Sequence, residues 1–265
     1  MRTILSILVV LLQFPVGKTM AQQTWKNGKQ CVVCLTYDDA MDSQLDYAIP
    51  QLDSHGLKGT FYLTGTSASL YHRMEEWKAI AANGHELGNH TLFHPCSGKR
   101  FSDRERERDI DFYTIKQFLT EVRTANTLLK GLDGKNRHTF AYTCGDKVVE
   151  GENMGDYLPE LVVAARGGDP AFLPKNELNL FHLPTFSSTG KTGDKLIDLV
   201  KQAQQKNSLL ILVFHGVGGG HLLVEAEEHK KLLDYLKEHE KDIWVAPVIE
   251  LADYLIAESD RKGKM

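Results

Sequence analysis

Two adjacent carboxylates, Asp38 and Asp39, close the apolar run Cys31-Val32-Val33-Cys34-Leu35. A run of this kind reads as a buried strand, and acids at its end need a cation, because an unpaired carboxylate is costly to bury. Further along, His90-Thr91-Leu92-Phe93-His94-Pro95 offers two imidazoles after a second strand-like segment. One carboxylate and two histidines form a common ligand set for a catalytic zinc, with a coordination position left for water. The same donors also describe the facial triad of an Fe(II) oxygenase. The plainer alternative for Asp38-Asp39 is an N-cap for the helix that follows. A further imidazole, His215, ends the apolar stretch Leu209-Leu210-Ile211-Leu212-Val213-Phe214, where it can carry a proton, although a lone histidine after a strand is more often structural.

The elements that must hold these groups alternate along the chain. After the first strand, Ser43 and Asp46 have capping-box-like spacing, and Leu45, Ile49 and Leu52 recur at helical intervals until His55-Gly56. Gly59 to Leu63 reads as strand two, Tyr71 to Asn83 as a helix with Trp77 and Ile80 on one side, and His85 to His90 as strand three. Ser102 with Glu105 is expected to open a long helix bearing Ile110, Phe118, Val122, Ala125 and Leu129 on one face. Strands are then expected at His138–Cys144, Leu161–Ala165, Leu180–Leu183, Leu209–Phe214 and Ile243–Ala246, with helices around Leu196–Ala203 and Leu232–Leu236. This order predicts an α/β fold, a parallel (β/α) barrel with seven or eight strands. Functional groups in such a barrel gather where strands end, which is where Asp38, Asp39, His90, His94, Cys144 and His215 fall.

Thr36-Tyr37-Asp38-Asp39, then Ile49-Pro50-Gln51-Leu52, Gly59-Thr60-Phe61-Tyr62 and Asn83-Gly84-His85-Glu86-Leu87-Gly88-Asn89-His90, then His94-Pro95, follow one another in a set order. In that order they resemble the polysaccharide deacetylases, carbohydrate esterase family 4 with the NodB homology domain. The resemblance implies that the barrel is the distorted one of that family, that Asp38 is a general base, and that Asp39, His90 and His94 hold one divalent metal, zinc. It carries the general-acid role to His215, because an apolar strand ending in a histidine is the last family motif. The implied reaction removes acetyl groups from an N- or O-acetylated carbohydrate, peptidoglycan, chitin-like or xylan-like, by attack of water activated at the metal. Cys144 and Gly145, His182 at a strand end, and His221 after Val217-Gly218-Gly219-Gly220 are the expected substrate-side residues.

The chain departs from the family at two places. Ala141-Tyr142-Thr143-Cys144-Gly145 stands where many members have R-P-P-Y-G, so an alanine replaces the arginine that orients the catalytic aspartate. Arg166, in Arg166-Gly167-Gly168-Asp169, is expected to supply that cation from a neighbouring strand, in a segment that lacks the family's tryptophan. These departures keep two other readings in view: an amidohydrolase for a small non-sugar amide, and a catalytically inactive carbohydrate-binding protein. Asp38 and His215, beyond the metal triad, argue against the iron oxygenase.

A chain of 265 residues suits one domain, and a net charge of -4 with mixed signs argues against nucleic acid as a partner. Arg2, the apolar stretch Ile4–Leu12 and Thr19-Met20-Ala21 read as a secretory signal over residues 1–21, too short to span a bilayer comfortably, with an uncleaved anchor as the alternative. Residues 22–265 are then expected to be an exported catalytic domain, periplasmic or extracellular, without stable membrane insertion. Cys31 and Cys34 sit three apart in a strand and are expected to be small buried residues facing opposite ways. Cys96 and Cys144 each follow a segment that the resemblance places at the active-site end, so export predicts a Cys96–Cys144 disulfide.

Overall fold

The computed structural model describes residues 24–103 and 105–263, so the expected signal over residues 1–21 lies outside the described residues. Eleven strands occur among them. In chain order they are β1 (Cys31–Asp38), β2 (Thr60–Leu63), β3 (Glu86–Asn89), β4 (Phe140–Ala141), the hairpin β5 (Val148–Val149) and β6 (Glu152–Asn153), β7 (Ala165–Gly168), β8 (Leu183–Pro184), β9 (Phe186–Ser187), β10 (Leu209–Phe214) and β11 (Ile243–Val245).

The main sheet is parallel and runs β8-β7-β4-β3-β2-β1-β10-β9. Its two end strands are separated in the chain by Thr185 alone, so residues 183–187 pair first with β7 and then with β10. The chain itself thus bridges the ends of the path and curls the sheet into a nearly closed, distorted parallel barrel, as expected. Short β11 pairs with the start of β1, and β2 pairs with its end.

Strand period sorts the side chains of β1. Cys31, Val33, Leu35 and Tyr37 pack outward against the helices, while Val32 and Cys34 face into the barrel with Trp244 and Leu251. Both cysteines are free and buried on opposite faces, as expected.

Several helix boundaries differ from expectation. Ser43 is already helical (φ -60°, ψ -22°) and makes no capping hydrogen bond; a π turn over Gln44–Ala48 precedes α1 (Ile49–Ser54). The helix expected over residues 71–83 is two, α2 (Ala68–His72) and α3 (Met74–Ala82), broken at Arg73, whose guanidinium pairs with Asp46 and Glu76. The long helix α4 (Ile115–Asp133) does not open at Ser102. Asp109 instead accepts the amides of Gly98 and Asp111, which ties the preceding segment into short turns, and Thr114 is the cap that starts the helix. Helices α5 (Gly193–Gln205) and α6 (Ala226–Glu238) follow their periodicity. Helix α7 (Val248–Gly263) was not anticipated; its first amides, on Val248 and Ile249, are taken inside the barrel by Thr60 Oγ1 and Glu86 Oε2, each at 2.9 Å. The strands expected at Leu161–Ala165 and Leu180–Leu183 begin later, as β7 and β8, because Leu158–Glu160 forms a 3-10 turn and Phe181 and His182 precede the ladder. Among the described residues no helix is long and apolar enough to cross a membrane.

Candidate active site

The carboxyl ends of β1, β3, β4, β7 and β10 surround a cavity of about 440 Å3 lined by Asp38, Asp39, His90, His94, Arg166 and His215 among others. Asp38 keeps the strand's alternation and turns toward the barrel axis. Asp39 and Ala40 then take left-handed backbone (φ 76° and 52°), which carries the second carboxylate off the strand. His90 leaves β3, and its Nδ1 donates to the Ala141 carbonyl at 2.9 Å, since a carbonyl can only accept. That bond leaves His90 Nε2 free, 3.5 Å from Asp39 Oδ1, while His94 Nε2 lies 3.3 Å from the same oxygen. Donors around a tetrahedral zinc, each about 2.0–2.1 Å from the ion, lie about 3.3–3.4 Å from one another. Asp39, His90 and His94, whose ligand atoms all fall within 4.8 Å of one another, therefore fit such an ion.

Charge supports that fit. Burial alone would raise Asp39, but the His221 hydrogen bond and the imidazoles of His90, His94 and His215 outweigh it and hold the carboxyl well below its usual range. Burial pulls His90 down, which favours the neutral imidazole that ligates a cation.

Arg166 Nη2 donates to Asp38 Oδ1, and its guanidinium lies 4.5 Å from the Tyr62 ring centre. The two strands explain the geometry: Arg166 is the register partner of Ala141 across the β4–β7 ladder, so the cation arrives one strand away from the alanine. Burial lowers Arg166 to about 9, still above neutral pH, so the guanidinium facing Asp38 is charged. His215 follows β10 with Nε2 3.9 Å from Asp39 Oδ2, and its Nδ1 is buried without a partner. Burial, with Asp39 opposing and Arg166 and His90 adding, pulls its imidazole to about 4.

His221 reaches the site from the glycine loop and hydrogen-bonds Asp39 Oδ2 at 2.8 Å, so it touches a candidate ligand as well as the cavity. Cys144 and Gly145 line the cavity, and Cys144 is joined to Cys96 by a disulfide with a Cα separation of 5.7 Å. His182 does not line it. Its ring stacks on Tyr142 at 6.0 Å, and Tyr142 stands between it and the cavity, which corrects its expected place on the substrate side.

Two residues that the sequence reading passed over belong to the site's support. Buried Gln44 donates from Nε2 to the carbonyls of Asp38 (2.5 Å) and His215 (3.1 Å), tying the ends of β1 and β10, and no sequence signal marks it. Glu121 accepts from the Phe93 amide between the two histidines. It had a signal, an acid beside Phe118 and Val122 in a buried stripe.

Residues 26–153 match the family described as polysaccharide deacetylase. A peptidoglycan-N-acetylglucosamine deacetylase of Bacillus cereus is 38% identical over 79 residues, 29% of this chain and 28% of that protein. A gellan lyase of a Bacillus species is 24% identical over 206 residues, 78% of this chain and 7% of that protein. The chain thus spans much less than two thirds of these curated relatives. A solved structure from Mycobacterium smegmatis, assigned to the polysaccharide deacetylases, superposes with a TM-score of 0.62 at 17% identity, covering 89% of this chain and 94% of that one, a likeness of fold. The matched stretch, residues 26–153, is just under half of the chain and carries Asp38, Asp39, His90 and His94, and over it the chain is similar to the polysaccharide deacetylase family.

Proposed function

We propose that this protein is a metal-dependent hydrolase that removes acetyl groups from an N- or O-acetylated carbohydrate. The observation that carries the reading is the spacing of Asp39 Oδ1 from His90 Nε2 and His94 Nε2, 3.5 and 3.3 Å, beside a second carboxylate held by an arginine. Asp39, His90 and His94 would hold the ion, and zinc suits two imidazoles and one carboxylate. When bound, a divalent metal acidifies water and polarises the acetyl carbonyl.

The remaining chemistry belongs to the chain. Asp38, kept ionised by Arg166, takes the proton of the attacking water. His215, at the end of the neighbouring strand β10, hands a proton to the leaving amine or alkoxide. Because its imidazole is pulled to about 4, it is neutral in the substrate-free site at neutral pH, and the proton it hands on is the one that Asp38 takes from the attacking water. Cys144 and Gly145 meet the substrate from the rim. The Cys96–Cys144 disulfide suits an exported protein, which agrees with a polymer substrate outside the cytoplasm.

Acetate release from peptidoglycan, chitin oligosaccharides and acetylated xylan tests the reading. Release from at least one is expected, to be lost on chelation and restored by zinc. Turnover of a small non-sugar amide with no acetate from any polymer would transfer the site to the amidohydrolase reading. Binding without any turnover would make it an inactive carbohydrate-binding scaffold.

A further inference from the structure

The loop between His90 and His94 carries two residues in the left-handed region, Thr91 (φ 63°) and His94 (φ 54°). Such conformations cost about 1–3 kcal/mol each in residues with a side chain, and they persist where the surroundings over-determine them. The hydrogen bonds of the loop show what does so. Thr91 donates its amide to Asn89 Oδ1 (2.8 Å), and His94 donates its amide to Thr91 Oγ1 (3.0 Å). The carbonyls of Thr91 and Leu92 accept from the amides of Gly65 (3.1 Å) and Thr66 (2.9 Å). The Phe93 amide, in the middle of the loop, donates to a carboxylate of α4, Glu121, with N 3.3 Å from Oε2. Tyr113 Oη lies 2.6 Å from the other oxygen.

Glu121 is 4% exposed. An acid in the apolar stripe of a helix is costly to bury, and its two donors, the Phe93 amide and the Tyr113 hydroxyl, come from outside that helix, so packing of α4 does not account for it. We infer that Glu121 is a positioning residue for the metal: by holding the Phe93 amide it keeps His90 and His94 presenting Nε2 toward Asp39. The inference rests on the reading of Asp39, His90 and His94 as ligands. Glu121 does not line the catalytic cavity; a separate hollow of about 370 Å3, bounded by Leu92, Phe93, Thr120 and Glu121, lies beside the loop. That space lets the loop relax once the carboxylate is gone. Outer partners of this kind typically control metal affinity by roughly 10- to 100-fold.

The test compares the whole chain with its Glu121→Ala and Glu121→Gln variants by Co2+ titration, followed through the absorption of the bound ion, and by amide exchange at Phe93. Glu121→Ala is expected to weaken Co2+ binding by roughly 10- to 100-fold and to speed exchange at that amide. Glu121→Gln, which keeps an acceptor oxygen without the charge, is expected to fall between Glu121→Ala and wild type. A folded Glu121→Ala protein with unchanged affinity and exchange would overturn the inference. If Glu121→Ala does not fold, Glu121→Gln decides, and its equality with wild type in both readouts would overturn it likewise. Wild-type protein that takes up no Co2+ would sink the ligand reading, while amide exchange would still decide whether Glu121 holds the loop.

Discussion

Asp38 is paired with a cation that comes from another strand, Arg166 of β7. Ala141 cannot orient an acid, yet its register partner on β7 brings a guanidinium to Asp38 Oδ1. An opposite charge favours the ionised carboxylate, so removing it makes Asp38 easier to protonate. In Arg166→Ala the acidic limb of kcat/KM is expected to move to higher pH, and turnover at its optimum to fall by roughly 10- to 100-fold, part of what a general base contributes. Activity would be scored per folded molecule, because the change leaves Asp38 buried and unpaired. An acidic limb that stays where it was would show that Arg166 does not set the ionisation of Asp38.

At the scale of elements, two loops make the rim on which His94 and Cys144 sit. Besides the disulfide, Thr143 Oγ1 donates to the Pro95 carbonyl (2.5 Å), the Ser97 amide donates to Asp146 Oδ2 (3.0 Å), and Arg100 donates to Asp146 Oδ1 (2.7 Å). These contacts define the folded geometry, whereas a crosslink spanning 48 residues acts mainly on the unfolded chain. The Cys96→Ala, Cys144→Ala double variant is expected to lose up to about 4 kcal/mol of stability by the loop-entropy relation. It should also keep its Co2+ affinity. Urea unfolding checks the first expectation, and a midpoint equal to wild type would show that the crosslink adds nothing to the other ties.

Across the whole molecule, buried titratable groups tie stability to pH. His229 of α6 is enclosed by Tyr37 and Phe214, with Nε2 2.7 Å from Tyr37 Oη and Nδ1 2.6 Å from Gln51 Oε1. Burial first, then the charge of nearby His55, pulls it from 6.5 to about 3. Between those values the unfolded chain holds a proton that the folded one lacks. Stability therefore falls as pH drops through that window, by up to about 1.4 kcal/mol per unit for this group. His85 and His90, lowered mainly by burial, act in the same direction, and Glu86, raised by burial, acts in the opposite one. The difference between His229→Gln and wild type isolates the one residue. Urea midpoints measured at pH 7 and pH 5 are expected to fall less in the variant, and equal falls would clear His229 of the effect.

The candidate metal ligands were legible in the sequence because they follow apolar strands at their ends, and the strand pattern put Asp38, His90 and His215 at one end of a parallel barrel. The alternation of β1 by itself likewise places Cys31 and Cys34 on opposite faces. Other features were decided by contacts that span the chain. Arg166 was expected to supply a cation from a neighbouring strand, and the β4–β7 register is what brings it to Asp38. The start of α4 moved from Ser102 to Thr114 because Asp109 accepts the amides of Gly98 and Asp111 and ties the segment ahead of the helix into short turns. His182, Gln44 and Glu121 each depend on which side of a neighbour they face: His182 is screened by Tyr142, Gln44 joins two strand ends, and Glu121 reaches a loop on another element. Periodicity reports which residues are buried along one element, and a hydrogen bond between elements is set by how those elements pack.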